Sequence, residues 1–382
     1  MPWIVPDELE EVVRTAARAA LGDGPLATAA LTRAIIDRSR RYTTERDRPA
    51  ADRAGDLAAR AMFFTIADAM KIAIPLGELA RRGALPAARP LRIVDLGAGC
   101  GAMSLGAIAA LSNGAALATD MLAIDIVAID RDGAALAIAR AAIGDLAARR
   151  GVAARIDTRD DDVTRARLPA AELVVLGTVL NELPAAARLD VVERALASIA
   201  DDGAVIVIEP ALRDTARALH ELRDAIVRAG RGHVFAPCTR PQAPCTALAD
   251  PDDWCHEDRP LRLPRRTAEL ARLTHLRDGG MKFAYLVLRR QPLALVDAPG
   301  AWRVVSAAMP AKGKLAVIGC GAPGRVELRR LRRHRAPHNR AFDDADRGDV
   351  LAIDRAVDDG RLDILDDTHV ERIALPSGHD RD

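Results

Sequence analysis

The sequence predicts an α/β fold built on a doubly wound parallel sheet, and three observations carry that expectation. Short apolar β-type runs recur between Leu91 and Ile208, separated by segments of helical spacing. A glycine-rich turn, Gly97 to Gly101, follows the first of these runs and opens a helix. An acid, Asp130, stands at the end of the next run. Strands that alternate with helices pair in parallel, because each crossover helix returns the chain to the same edge of the sheet.

Residues 7 to 85 read as helices, with apolar positions at helical spacing through Val12, Ala16, Ala19 and Leu21, then Leu57, Ala61, Phe64 and Ile66; the polar stretch Arg38 to Arg53 joins them. The strands follow at Leu91–Leu96, Ile124–Ile129, weakly at Ala153–Asp157, then Glu172–Gly177 and Ala204–Ile208. A helix over Ala211–Ala229 precedes two more strands, Gly232–Ala236 and Lys282–Arg289, expected to form an antiparallel pair. Between them lies a cysteine-bearing insertion, 237–281. Beyond it, β-type runs at Trp302–Ala307, Lys314–Ile318 and Val326–Leu331 predict a small β-rich domain with a polar tail. The expected domains are therefore 1–88, 89–291 and 292–382.

Glycines at alternate positions let the backbone turn sharply and approach a ligand that a Cβ would push away. The helix opening near Ala102 aims unpaired N–H groups at that ligand, and Asp130 is placed for ribose hydroxyls. Gly97-x-Gly99-x-x-Ala102 also satisfies the loose dinucleotide fingerprint, so a nicotinamide-dependent oxidoreductase is a distant rival. Two details favour S-adenosylmethionine. Asp95 lies two residues before Gly97, where a carboxylate can receive the methionine ammonium, and the Gly97-x-Gly99-x-Gly101 spacing has no pyrophosphate to cradle. One of Asp160, Asp161 and Asp162, with Asp161 the working choice, is placed for the adenine amine.

Composition narrows the classes. With 382 residues the chain can bury a large core, and its net charge of +1 confines any nucleic-acid contact to a local basic patch. No apolar run is long and charge-free enough to span a bilayer, and the first residues, MPWIVPDELEEVV, are acidic where leaders are basic. A soluble, cytoplasmic protein with no membrane partner is expected, a monomer by preference. In a reducing compartment the five cysteines are candidates for ligands rather than disulfides.

Cys238, Cys245 and Cys255 are separated by six and nine residues in a proline-dense loop, and a further 64 residues separate Cys255 from Cys320. Four thiolates gathered from two segments suit a structural zinc or an iron–sulfur cluster. The Cys-x-x-Cys knuckle usual for zinc is missing, and His233 and His256 are possible substitute ligands. Cys100 fills an x position of the glycine turn and is poorly placed as a nucleophile.

The segments VDLGAGCGAM, VLNELP (Val179–Pro184), IVIEPALRDTARALHELRD (Ile206–Asp224), FAPCTRPQAPCTAL with DWCH (Phe235–His256), KFAYLVLRR and VIGCGAPGRVELRRLRRHR are similar, in order and spacing, to the ribosomal small-subunit-associated methyltransferase-like proteins of bacteria and mitochondria. They span roughly Met62 to Asp349. The resemblance implies a class I S-adenosylmethionine-dependent methyltransferase (Rossmann-like) sheet, with an N-terminal helical region and a small C-terminal β-rich domain. It also implies association with the small ribosomal subunit and its rRNA, and a 4Fe-4S cluster on Cys238, Cys245, Cys255 and Cys320, with zinc as the alternative.

After the fourth strand, Asn181 and Glu182 are the candidate catalytic pair, placed to orient a base amine. They lack the Pro-Pro-aromatic flap that stacks a flipped base, so cofactor binding is better supported than turnover, and a non-catalytic assembly factor is the alternative. For RNA, Arg325, Arg329, Arg330, Arg332 and Arg333 form a basic run whose alternation on a strand presents several guanidiniums to phosphates.

Overall fold

A computed structural model of the protein describes residues 2–43, 51–113, 122–277, 280–298 and 300–373. Part of the polar linker (44–50) and the end of the polar tail (374–382) lie outside the described residues. The chain forms two units, one of residues 1–76, 86–208 and 259–281, the other of residues 77–85, 209–258 and 282–382.

In the first unit, α1 (Asp7–Leu21) and α2 (Thr28–Thr43) precede β1 (Leu91–Leu96), α3 (Ala102–Ser112), β2 (Ala123–Asp130), α4 (Gly133–Arg149), β3 (Ala153–Asp160), β4 (Ala171–Gly177), α5 (Ala185–Ser198) and β5 (Ile199–Pro210). The strands pair in parallel in the order β5-β4-β1-β2-β3. The central strands β1 and β4 are buried almost throughout, as strands covered on both faces must be, and apart from Arg92, Asp95 and Glu172 they read in sequence as apolar runs. Strand β3 lies at the edge, largely exposed and rich in charge, which explains its faint signal. The helical face expected in α1 buries Leu9, Val12, Val13, Ala16 and Ala17, whereas Ala19 is exposed.

In the second unit, α6 (Arg213–Arg228) leads into β6 (His233–Ala236), which pairs antiparallel with β7 (Gly280–Arg289). The segment between them is more structured than an insertion loop. Pro237 to His256 carries the 3₁₀ turn Thr246–Leu248, but a strand at Glu257–Arg262 and a helix at Arg265–Thr274 follow, residues 259–281 belonging to the first unit. A separate seven-stranded sheet contains β8 (Ala301–Val304), β9 (Met309–Ala311), β10 (Lys314–Gly321), β11 (Gly324–Leu331), β12 (Val350–Ile353), β13 (Arg361–Ile364) and β14 (Val370–Ile373), in the order β13-β11-β10-β8-β12-β14 with β9 beside β10. Trp302, Val317, Leu328, Phe342, Leu351 and Leu362 fill its core. Register matters here: Cys320 faces Arg303 on one side and Arg325 on the other.

Candidate functional site

The carboxyl ends of β1, β2 and β3 bring together the residues singled out for the cofactor. Gly97 and Gly101 adopt φ values of 78° and 86°, which side chains rarely tolerate. A Cβ on Gly97 would also collide with the Val179 side chain, and one on Gly101 would press Ala139 and Ile143 at 3.1 Å. The turn is tied to the next strand, since the N–H groups of Gly97 and Ala98 both donate to the Ile129 carbonyl, at 2.7 and 3.0 Å. Asp130 accepts from Gly99 N–H at 2.8 Å and from Asp132 N–H at 2.9 Å, and Asp161 follows β3 with its N–H on the Asp130 carbonyl.

Asp95 stands differently. It is 1% exposed, and its Oδ2 accepts both the Ser104 N–H (3.1 Å) and the Ser104 hydroxyl (2.6 Å), so it holds the first turn of α3 to the end of β1. Burial pushes its carboxyl up to about 6 despite these bonds. Cys100 is buried as well, and its thiol is pushed up to about 11, in keeping with a filler of the turn rather than a nucleophile.

Two cations that belong to no motif of the turn reach this place from the N-terminal helices. Arg60 pairs with Asp132, the N-cap of α4, and acts electrostatically on Cys100 and Asp130; Arg38 bonds Asp56 at 3.0 Å. Asn181 and Glu182 lie in the 3₁₀ turn Leu180–Glu182 after β4, where Thr178 has a φ of 64°. Glu182 is solvent-accessible, yet enclosed enough that desolvation raises its carboxyl against the pull of Arg38 and Arg60. The sequence signal for Arg60 is weak, because an arginine in an amphipathic helix reads as a solvated face.

In the second unit, Cys238, Cys245, Cys255 and Cys320 line one cavity. Helix α6 fixes the loop that carries three of them. Arg223 is 1% exposed and donates to the carbonyls of Arg240 (2.7 Å), Pro241 (3.1 Å) and Ala243 (2.5 Å), while Asp224 accepts from Cys245 N–H at 3.0 Å. Arg217 donates to the carbonyls of Ala247, Leu248, Asp250 and Asp253, and His220 Nε2 lies 3.2 Å from the Cys255 carbonyl. Thr239 anchors Cys320 through its carbonyl at 2.9 Å.

Burial raises three of these thiols, Cys238 to about 11, Cys245 to about 12, and Cys320 in the same direction. Burial also lowers His220 to about 4, so its ring is neutral; its Nδ1 has no hydrogen-bond partner among the described residues. Arg223 stands electrostatically beside Cys238 and Cys245, and Arg325 beside Cys255 and Cys320. His256 also lines the cavity, whereas His233 lies by Gln242 at 3.2 Å. Among the described residues, no group of three or more His, Cys, Asp or Glu is drawn together to hold a metal ion.

The basic run divides. Arg325 pairs with Asp253 and lines the cysteine cavity, Arg329 pairs with Asp363 at 2.7 Å, and Arg330 is 5% exposed and bound to Asn339 and Asp343. Strand β11 ends at Leu331, and Arg332 and Arg333 stand exposed in the 3₁₀ turn that follows.

The parallel strand order, the glycine turn and the acid at the end of β2 define a Rossmann-like α/β unit. The chain belongs to the family described as mitochondrial small ribosomal subunit Rsm22, whose sequence profile matches residues 67–352. No curated protein matches the chain. Among solved structures, it is similar to a magnesium protoporphyrin IX methyltransferase from Synechocystis PCC 6803 with bound SAH, at 11% identity over 68% of this chain and 99% of that one, TM-score 0.36. It is also similar to a TehB-like SAM-dependent methyltransferase from Corynebacterium glutamicum, at 16% identity over 56% of this chain and 88% of that one, TM-score 0.29. No helix among the described residues is long and apolar enough to cross a membrane.

Proposed function

We propose that this chain is an S-adenosylmethionine-binding, methyltransferase-like protein that works with the small ribosomal subunit, and that Cys238, Cys245, Cys255 and Cys320 hold a 4Fe-4S cluster. The observation that carries the proposal is the convergence of four cysteines, from two segments distant in sequence, on one cavity. The donor set suits the group: thiols raised by burial are deprotonated by a bound cation rather than on their own. Arg223 and Arg325 supply positive charge beside the resulting thiolates. The wide spacing of the four cysteines, without a Cys-x-x-Cys knuckle, favours the cluster over zinc.

In the first unit, Gly97 to Gly101, Asp130 and Asp161 are the proposed cofactor contacts, and Asn181 and Glu182 the residues that orient a target base. When bound, S-adenosylmethionine supplies an electrophilic methyl. A non-catalytic assembly role is the second reading, favoured by Leu183 and Pro184, which follow Glu182 in place of an aromatic flap. Association with rRNA falls to the exposed Arg332 and Arg333.

Anaerobic purification followed by absorption spectroscopy and iron and zinc analysis tests the cluster. Brown protein with about four irons per chain supports it, and colourless zinc-loaded protein overturns it. Transfer of labelled methyl to small-subunit rRNA separates the enzyme from the assembly factor.

A further inference from the structure

Arg60 lies outside the segment that matches the family profile and outside every motif of the glycine turn. It is the first residue of a π-helical segment, Arg60–Thr65, that interrupts the α-helix begun at Arg53. Such local widenings are costly and recur at functional sites. Here the widening places a guanidinium beside the turn. One nitrogen, Nη1, pairs with Asp132, and the other, Nη2, lies 3.3 Å from where a Cβ on Gly99 would sit. The side chain is 18% exposed, so it is held in place while part of it stays accessible.

The proposed ligand is zwitterionic at its amino-acid end. Asp130 is the acid placed for its ribose hydroxyls, but its carboxylate needs a cation. Arg38 is turned to Asp56 and lies over the Phe64 ring at 5.9 Å, whereas Arg60, although paired with Asp132 through Nη1, brings Nη2 to the glycine turn at Gly99. We propose that Arg60 receives the α-carboxylate of the methionine moiety, with Asp132 orienting the guanidinium and Gly99 leaving the space for it. An arginine fork suits this role, because its planar donors match a carboxylate and lose little freedom on binding. The inference rests on the cofactor reading above.

The test is calorimetric titration of the full-length protein with S-adenosylmethionine and with its decarboxylated analogue, which keeps the ammonium and sulfonium. Wild-type protein is expected to prefer the intact cofactor by about ten- to hundredfold, the range of one hydrogen-bonded charge contact. Arg60→Met removes that preference by weakening intact cofactor alone, and Arg60→Lys restores part of it. Equal affinity of the wild type for both ligands overturns the proposal whatever the variants do, and so does an Arg60→Met protein that weakens both ligands alike. Wild-type protein that binds neither ligand sinks the cofactor reading itself, a pattern distinct from binding without carboxylate preference.

Discussion

Replacing Asp95 with Asn tests whether this acid serves the fold or the ligand. The carboxyl is buried and raised from an ordinary 3.8 to about 6, chiefly because burial penalises its charge more than Ser104 repays. The unfolded chain therefore loses its proton near pH 4, while the folded chain holds the proton until about pH 6. Below pH 4 both states are protonated and Asp95 contributes no pH dependence. Between pH 4 and 6 the unfolded state releases its proton first, so stability falls as pH rises, and above pH 6 the loss is complete. A gap of about two units at about 1.4 kcal/mol each sets the ceiling near 3 kcal/mol. Asn has an oxygen for both Ser104 donors and cannot ionise. Asp95→Asn is expected to be more stable than wild type by about 1–3 kcal/mol at pH 8 and equal to it at pH 4, read from urea unfolding at the two pH values. A variant less stable at pH 8, or a difference independent of pH, would refute the reasoning, because the first has the folded state gaining from the charge and the second has Asp95 titrating alike in both states. Cofactor affinity on the same samples shows whether that carboxylate also meets a ligand.

Gly97→Ala sets a Cβ against Val179 at a positive φ and should cost about 1–3 kcal/mol, with Val179→Ala returning part of it in a double-mutant cycle of thermal melts; additive losses would remove Val179 from the account. Arg223→Met frees three carbonyls and removes the cation paired with Asp224, so a loss of about 3–5 kcal/mol in melting experiments and lower iron content are expected together; unchanged iron would separate the clamp from the site. Charge reversal at Arg332 and Arg333 should make the salt dependence of rRNA binding shallower, by about one in the slope for each phosphate no longer neutralised, and an unaltered slope would move the RNA surface elsewhere.

The parts of the fold that are legible in sequence are those where one force dominates. Strand β1 is placed to the residue because a strand buried on both faces must be apolar, and the glycine turn is legible because its backbone excludes Cβ atoms. The short strands β12 to β14 leave no such mark, since four-residue runs shared with charged neighbours carry no distinct period. The basic run illustrates the other limit. Its arginines are visible, but sequence alone shows neither that Arg330 is buried on Asn339 and Asp343 nor that Arg325 turns to Asp253 at the cysteine cavity. Charge is legible in sequence, whereas the partner that neutralises it is a tertiary fact.

The cysteine loop sharpens this point. A proline-dense stretch of this length invites the view that a bound group must hold it together. The structure supplies another holder, one face of α6. Arg217, His220 and Asp224 recur at spacings of three and four along the helix, with Arg223 beside them, and together they take up backbone groups on both sides of Cys245 and at Cys255. Buried carbonyls need donors, and here side chains provide them where neither helix nor sheet does. These protein contacts fix where Cys245 and Cys255 stand. Cys320 comes from the β10–β11 hairpin, and Thr239 of the loop donates its hydroxyl to the Cys320 carbonyl at 2.9 Å, so the fourth cysteine reaches the cavity from a separate sheet and is tied to the loop through its backbone.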